Sequence, residues 1–122
     1  MLSRIFLNFV LLIFITSSSY AEVPIYKRVS SESEFRSLFV GKLILHRESR
    51  VRSFTISSDG TWGGTWNGKK IGGTWRFVDG DWCRIMTGVG EDCQEWEIDQ
   101  TGKKIKVTRN RGMGEDFRYT IE

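Results

Sequence analysis

Residues 58–98 read SDGTWGGTWNGKKIGGTWRFVDGDWCRIMTGVGEDCQEWEI, and this stretch decides the fold. It holds all five tryptophans and both cysteines of the 122-residue chain. Gly-Thr-Trp recurs at Gly60-Thr61-Trp62, Gly64-Thr65-Trp66 and Gly73-Thr74-Trp75. Between the second and third copies lies Asn67-Gly68, a strong hairpin signal because both central residues of a type I′ turn need positive φ. Asp79-Gly80 and Gly88-Val89-Gly90 are further turns. Aromatic residues spaced by two and punctuated by such turns predict a tightly turned antiparallel sheet with an aromatic core.

Working outward toward the C-terminus, the alternation continues. Strands are expected over residues 42–46, 50–57, 61–66, 69–78, 81–87, 92–98, 103–109 and 117–121, with a glycine-rich loop at 110–114. About eight strands joined in order by short turns form a meander, which usually closes into an up-and-down barrel and so removes its edges. A β-sandwich is the alternative. Glycines within the strands (Gly63, Gly64, Gly72, Gly73) favour strong curvature or space opposite a tryptophan, and so the barrel.

Toward the N-terminus one short helix is expected at residues 31–40. Ser31 and Glu34 have capping-box spacing, Phe35, Leu38 and Phe39 make an apolar stripe, and Gly41 sits at the C-terminal cap position. A helix this short is marginal alone. It is expected to lay its stripe on the sheet and close one end. Residues 23–29 are left as a connector, because Pro24 disfavours helix there.

The first 21 residues have the pattern of a cleaved signal peptide: Arg4, an apolar run over residues 5–15 broken by Asn8, and Ser19-Tyr20-Ala21 before the cleavage point. The run is about half the roughly 20 residues of a membrane span. Residues 22–122 then form a single domain, periplasmic or secreted. Removing Arg4 leaves 17 basic residues against 15 acidic ones. That balance argues against nucleic acid as a partner.

In an oxidising compartment two cysteines pair by default. Cys83 and Cys93 are symmetric about Gly88, so they are expected opposite one another on paired strands and within bonding range. Two cysteines and a single histidine, His46, do not complete a usual zinc site. No metal or other cofactor is expected.

Trp75 shares a face with Ile71 and Phe77, and Trp96 with Ile98, so both belong to the core. Trp62, Trp66 and Trp82 are open between the core and a ligand at the barrel mouth. Arg84 and Trp82 point the same way by their spacing, so they suit stacking or an anion-binding patch. The plainer alternative is a solvated strand face with cross-strand Arg–Glu pairs. Arg109 and Arg111 flank the glycine-rich loop. Asp79, Asp81, Glu91, Asp92, Glu95 and Glu97 read mostly as turn or solvent-side acids. His46 has no nucleophile and orienting acid that can be tied to it, so catalysis is the weakest reading. Gly88-Val89-Gly90 and Gly112-Met113-Gly114 lack the third glycine of a dinucleotide fingerprint and do not open a helix after a strand.

The signal peptide, a helix ending Phe39-Val40-Gly41-Lys42, then Asp59-Gly60, Gly73-Thr74-Trp75, Cys83-Arg84, Cys93-Gln94 and Arg111-Gly112-Met113-Gly114 together resemble a family of small exported alphaproteobacterial proteins of unknown function. The resemblance spans essentially the whole chain, and Trp82-Cys83-Arg84 with Cys93-Gln94 is its most specific part. It implies export and carries over no activity. Some members bear the label dihydrodipicolinate reductase, which does not fit a chain with neither the fingerprint nor the length for a Rossmann domain and a substrate domain. The repeated Gly-x-Trp is also similar to lipocalins and avidins, which implies the architecture alone.

The expected function is therefore non-catalytic binding of a small molecule or an envelope component, with Trp82, Arg84, Gln94 and Arg109 as contact residues. The second expectation is a protein-interaction module, such as an inhibitor of an envelope hydrolase.

Overall fold

Strand alternation divides every strand of the computed structural model into an inward and an outward set. The structure describes residues 11–13 and 23–122. Most of the expected signal sequence and its cleavage point after Ala21 lie outside the described residues. Nine strands and one α-helix follow in order among the described residues: β1 (Tyr26–Arg28), α1 (Glu32–Phe39), β2 (Leu43–His46), β3 (Ser49–Ile56), β4 (Thr61–Trp66), β5 (Lys69–Val78), β6 (Asp81–Met86), β7 (Gly90–Asp99), β8 (Lys104–Thr108) and β9 (Asp116–Ile121), with a single 3-10 turn (Asn110–Gly112) before β9.

Strands β2 to β9 pair antiparallel in sequence order. The β2–β9 pairing, Ile44 opposite Ile121 to His46 opposite Tyr119, closes the ring. The protein is a closed eight-stranded up-and-down barrel, not a sandwich. Closure satisfies the backbone groups that two open edges would leave unpaired. Asn67 (φ 51°) and Gly68 (φ 83°) both take the positive φ that their hairpin requires.

The ninth strand, β1, corrects the reading of residues 23–29 as a connector. It pairs antiparallel with the distal end of β7, Tyr26 opposite Asp99 and Arg28 opposite Glu97. β7 outruns β6 there, and the free backbone of the overhang takes β1 as its partner. Two side-chain contacts hold the added strand: the Arg28 guanidinium bonds Asp81 at 2.9 Å and Glu95 at 3.0 Å. Asp81 is thus a buried, paired acid, contrary to its reading as a turn or solvent-side residue.

Helix α1 closes one end. The Ser31 hydroxyl accepts the Glu34 backbone N–H at 3.3 Å, one half of the capping box, and Gly41 (φ 81°) follows the C-terminal cap. Phe35 and Phe39 are both 0% exposed. Phe35 meets Trp96 at 5.1 Å and Trp82 at 5.9 Å between ring centroids, and Phe39 meets Trp96 at 5.0 Å. Burying each phenylalanine contributes roughly 1.5–3 kcal/mol, which is what holds so short a helix. The core then runs up the barrel axis through Phe54, Ile56, Trp62, Trp75, Trp82, Trp96, Ile105 and Val107.

The strand glycines make room for this core. A Cβ on Gly73 would collide with the Ile85 carbonyl and lie 3.3 Å from Trp62 Nε1. Trp62, opposite Gly73 in the register, lays its indole across that gap and donates to the Ile85 carbonyl at 3.3 Å.

Cys83 and Cys93 are direct partners across β6 and β7 and are disulfide-bonded. Their parity turns them away from the barrel axis. Arg76, opposite Cys83, pairs there with Glu91 at 3.1 Å. The staple therefore fixes the register of the two strands that carry Trp82, Arg84, Asp92, Gln94 and Trp96 on their inner faces.

Candidate functional site

The end of the barrel opposite α1 is not filled. A cavity of about 310 Å³ opens there, within the range of small-molecule sites. Its walls are mostly aromatic and aliphatic: Phe54, Trp62, Trp66, Ile71, Met86 and Phe117, with Trp82 and Trp96 beneath. The polar groups on it are Lys69, Arg84, Gln94, Arg109 and Tyr119.

All four contact residues expected from the sequence, Trp82, Arg84, Gln94 and Arg109, lie on this one cavity. β6 supplies the first two at successive inward positions. β7 supplies Gln94 directly opposite Trp82, and Arg109 follows the end of β8. Trp62 and Trp66 also line it, whereas Trp75 is buried toward the helix end and donates its indole N–H to the Ser57 carbonyl at 2.9 Å. Arg111 is not part of the site; it lies outside, 4.0 Å from Asp81.

Asp92 is the residue that sequence reasoning missed. Grouped with the solvent-side acids, it instead turns inward, because it shares parity with Gln94 and Trp96. That parity was available in the sequence. Its Oδ2 accepts from Gln94 Nε2 at 2.8 Å and from Arg109 Nε at 3.0 Å, and its Oδ1 accepts the Asn110 backbone N–H at 3.0 Å. Gln94 in turn accepts the Trp96 indole N–H at 3.2 Å. Burial pushes the Asp92 carboxyl up, but the bonds from Gln94, Asn110 and Arg109 outweigh it and hold the group below its ordinary range.

Arg84 and the Trp82 indole are outside this network. Arg84 forms no hydrogen bond or ion pair among the described residues. Its guanidinium lies 5.5 Å from the centroid of the Trp62 ring, a cation–π contact. Burial pulls its pKa down, Asp92 opposes that, and Arg109 adds to it. The group nonetheless stays charged near neutral pH. The Trp82 indole N–H is the second, buried with no hydrogen-bond partner on a side chain 1% exposed. Tyr119 faces Arg84 and Arg109 across the barrel; burial pushes its phenol up to about 12 although both arginines pull it down. It is a neutral donor at physiological pH.

His46 is buried beside Trp66, at 5.0 Å between ring centroids, and beside Tyr119 at 5.5 Å. Burial, Arg47 and Arg52 all lower its pKa, so it is neutral at pH 7. Among the described residues no three His, Cys, Asp or Glu side chains converge as metal ligands would. No helix among them is long and apolar enough to cross a membrane.

The arrangement suits holding a molecule: a rigid apolar cup with a few fixed donors and one saturated carboxylate. Comparison of the chain with family models, with curated proteins and with solved structures finds no match.

Proposed function

We propose that this chain is an exported, periplasmic or secreted, binding module that holds a small, largely apolar molecule in the open end of its barrel. The observation that carries this reading is the 310 Å³ cavity, which gathers Trp82, Arg84, Gln94 and Arg109 on one wall. A barrel needed only as a scaffold gains stability from filling such a space, since a cavity forfeits packing contacts. The disulfide fits an oxidising compartment. A protein-interaction module calls instead for a filled barrel and a flat exposed patch, and the open cup favours the binding module over it.

The test is native mass spectrometry of the full-length gene product purified from its producing cell, set beside its denatured mass. Additional mass present only in the native spectrum is expected, and lost when Trp62→Ala and Phe117→Ala reshape the cup. A bare chain that also takes up no apolar probe would end this reading. The denatured mass reports the expected cleavage after Ala21.

A further inference from the structure

The cavity also discriminates by charge. The charged side chains on or bordering it are Lys69, Arg84 and Arg109 against Asp92 alone. Both oxygens of Asp92 are already taken, by Gln94 and Arg109 on one side and by Asn110 on the other. A cationic ligand would meet three like charges and a carboxylate with little left to accept. A neutral ligand would leave the Arg84 guanidinium half-buried against Trp62 with no acceptor. An unpaired charge in an apolar wall is costly unless a partner arrives.

Building on the proposed binding function, we infer that the ligand is a monoanionic carboxylate with an apolar body, its carboxylate seated on Arg84. A planar carboxylate matches the guanidinium fork with two parallel hydrogen bonds, and Arg84 is the guanidinium that Asp92 leaves without a partner. The Tyr119 phenol borders the same space and supplies a further donor. The apolar body lies among Trp62, Trp66, Phe54 and Phe117. A volume of 310 Å³ corresponds to on the order of ten water-sized units of ~30 Å³, so ten-carbon probes match its size.

The experiment titrates the full chain at pH 7 with decanoate, 1-decanol, decyl phosphate and decyltrimethylammonium, followed by tryptophan fluorescence and calorimetry. Decanoate is expected to bind roughly 10–100-fold tighter than decanol, the contribution of a charge-assisted hydrogen-bonded pair. Arg84→Gln should bring that ratio near one, through weaker decanoate binding. Arg84→Lys should keep an intermediate ratio, because charge remains without the fork. Near-UV circular dichroism verifies that both variants fold. Equal binding of decanoate and decanol by the native protein, or a ratio that survives Arg84→Gln, overturns the inference and leaves the apolar cup standing. Preference for decyl phosphate or for the ammonium probe overturns the carboxylate assignment in the same way. Failure of all four probes overturns the cup as well.

Discussion

Arg84 and Asp92 stand directly opposite each other on β6 and β7, yet they form no ion pair. Asp92 bonds Arg109 at 3.0 Å instead, together with Gln94 and the Asn110 backbone. The consequence is an asymmetric interior, with one arginine neutralised and one free. The loop after β8 enforces this choice, since its Asn110 N–H draws the Asp92 carboxylate toward Arg109 and away from its cross-strand neighbour. A cross-strand Arg84–Asp92 pair would have left Arg109, not Arg84, as the guanidinium without a carboxylate partner.

Asp92 should therefore set part of the acid limb of stability. Its folded-state pKa lies below the ordinary value because hydrogen bonds overcome the upward push of burial. The stability it contributes is present above the unfolded aspartate pKa, near 4, and lost as pH falls through its lowered folded value. Asp92→Asn should cost about 1–3 kcal/mol at pH 7, a difference that shrinks as the pH falls below the ordinary carboxylate range. Urea midpoints of both proteins from pH 7 to pH 2 check this; a difference independent of pH would mean the carboxylate charge plays no part.

The free arginine is expected to be a stability cost. Replacing Arg84 by methionine removes a desolvated guanidinium without a hydrogen-bonding partner and keeps much of its packing volume. The unliganded protein should gain about 1–2 kcal/mol and melt higher. Scanning calorimetry of Arg84→Met reads the change directly. A lower melting temperature would show that the contact with Trp62 outweighs the desolvation.

The Cys83–Cys93 staple closes a ten-residue separation. In the chain-entropy model such a loop is worth about 2–3 kcal/mol. The double Cys83→Ser, Cys93→Ser variant should melt on the order of 10 °C lower. It should also bind decanoate more weakly, because the bond fixes the register that aligns Arg84 with Gln94 and Asp92. Thermal melts with and without reductant, alongside the double variant, separate loss of the bond from the effect of serine itself.

Gly73 and Gly68 separate two uses of glycine. A Cβ at Gly73 meets the Ile85 backbone, whereas Gly68 has open space but a φ of 83°. Gly73→Ala must shift β6 or displace Trp62, at about 1–3 kcal/mol, and should weaken ligand binding. Gly68→Ala should cost about 1–2 kcal/mol at the hairpin tip and leave the cavity intact. Similar binding by both variants would show that Trp62 is not held by the Gly73 gap.

The elements that could be read from the sequence are those whose cause is local. The hairpin at Asn67-Gly68 follows from two adjacent residues. The disulfide follows from symmetry about Gly88, and the helix from one capping residue and a three-residue apolar stripe. What was not legible depends on distant partners. β1 exists because β7 outruns β6, which no property of Tyr26–Arg28 announces. Tyr119 reaches the site only because β9 closes on β2, joining residues more than seventy positions apart. Asp92 is the intermediate case: its parity with Gln94 and Trp96 was legible, but its charge argued for solvent, and only the incoming Asn110 N–H and Arg109 resolve that conflict.

Tyr119 links the site to the alkaline limit of the fold. Its phenol is pushed up to about 12 by burial, while Arg84 and Arg109 pull it down. A group whose folded-state pKa is raised contributes stability that is complete below the unfolded value, near 10, and is lost as pH rises toward and through the folded one. Tyr119→Phe should therefore flatten the decline of the urea midpoint between about pH 10 and pH 12. Arg84→Met should act differently, since removing one of the two arginines that lower the phenol's pKa displaces its ionisation to still higher pH. Absorbance of the phenolate, recorded against pH for the native protein and both variants, follows the same group spectroscopically. An ionisation of Tyr119 that does not move when Arg84 is removed would place the guanidinium too far from the phenol for both to grip one carboxylate, and would count against the proposed seat of the ligand.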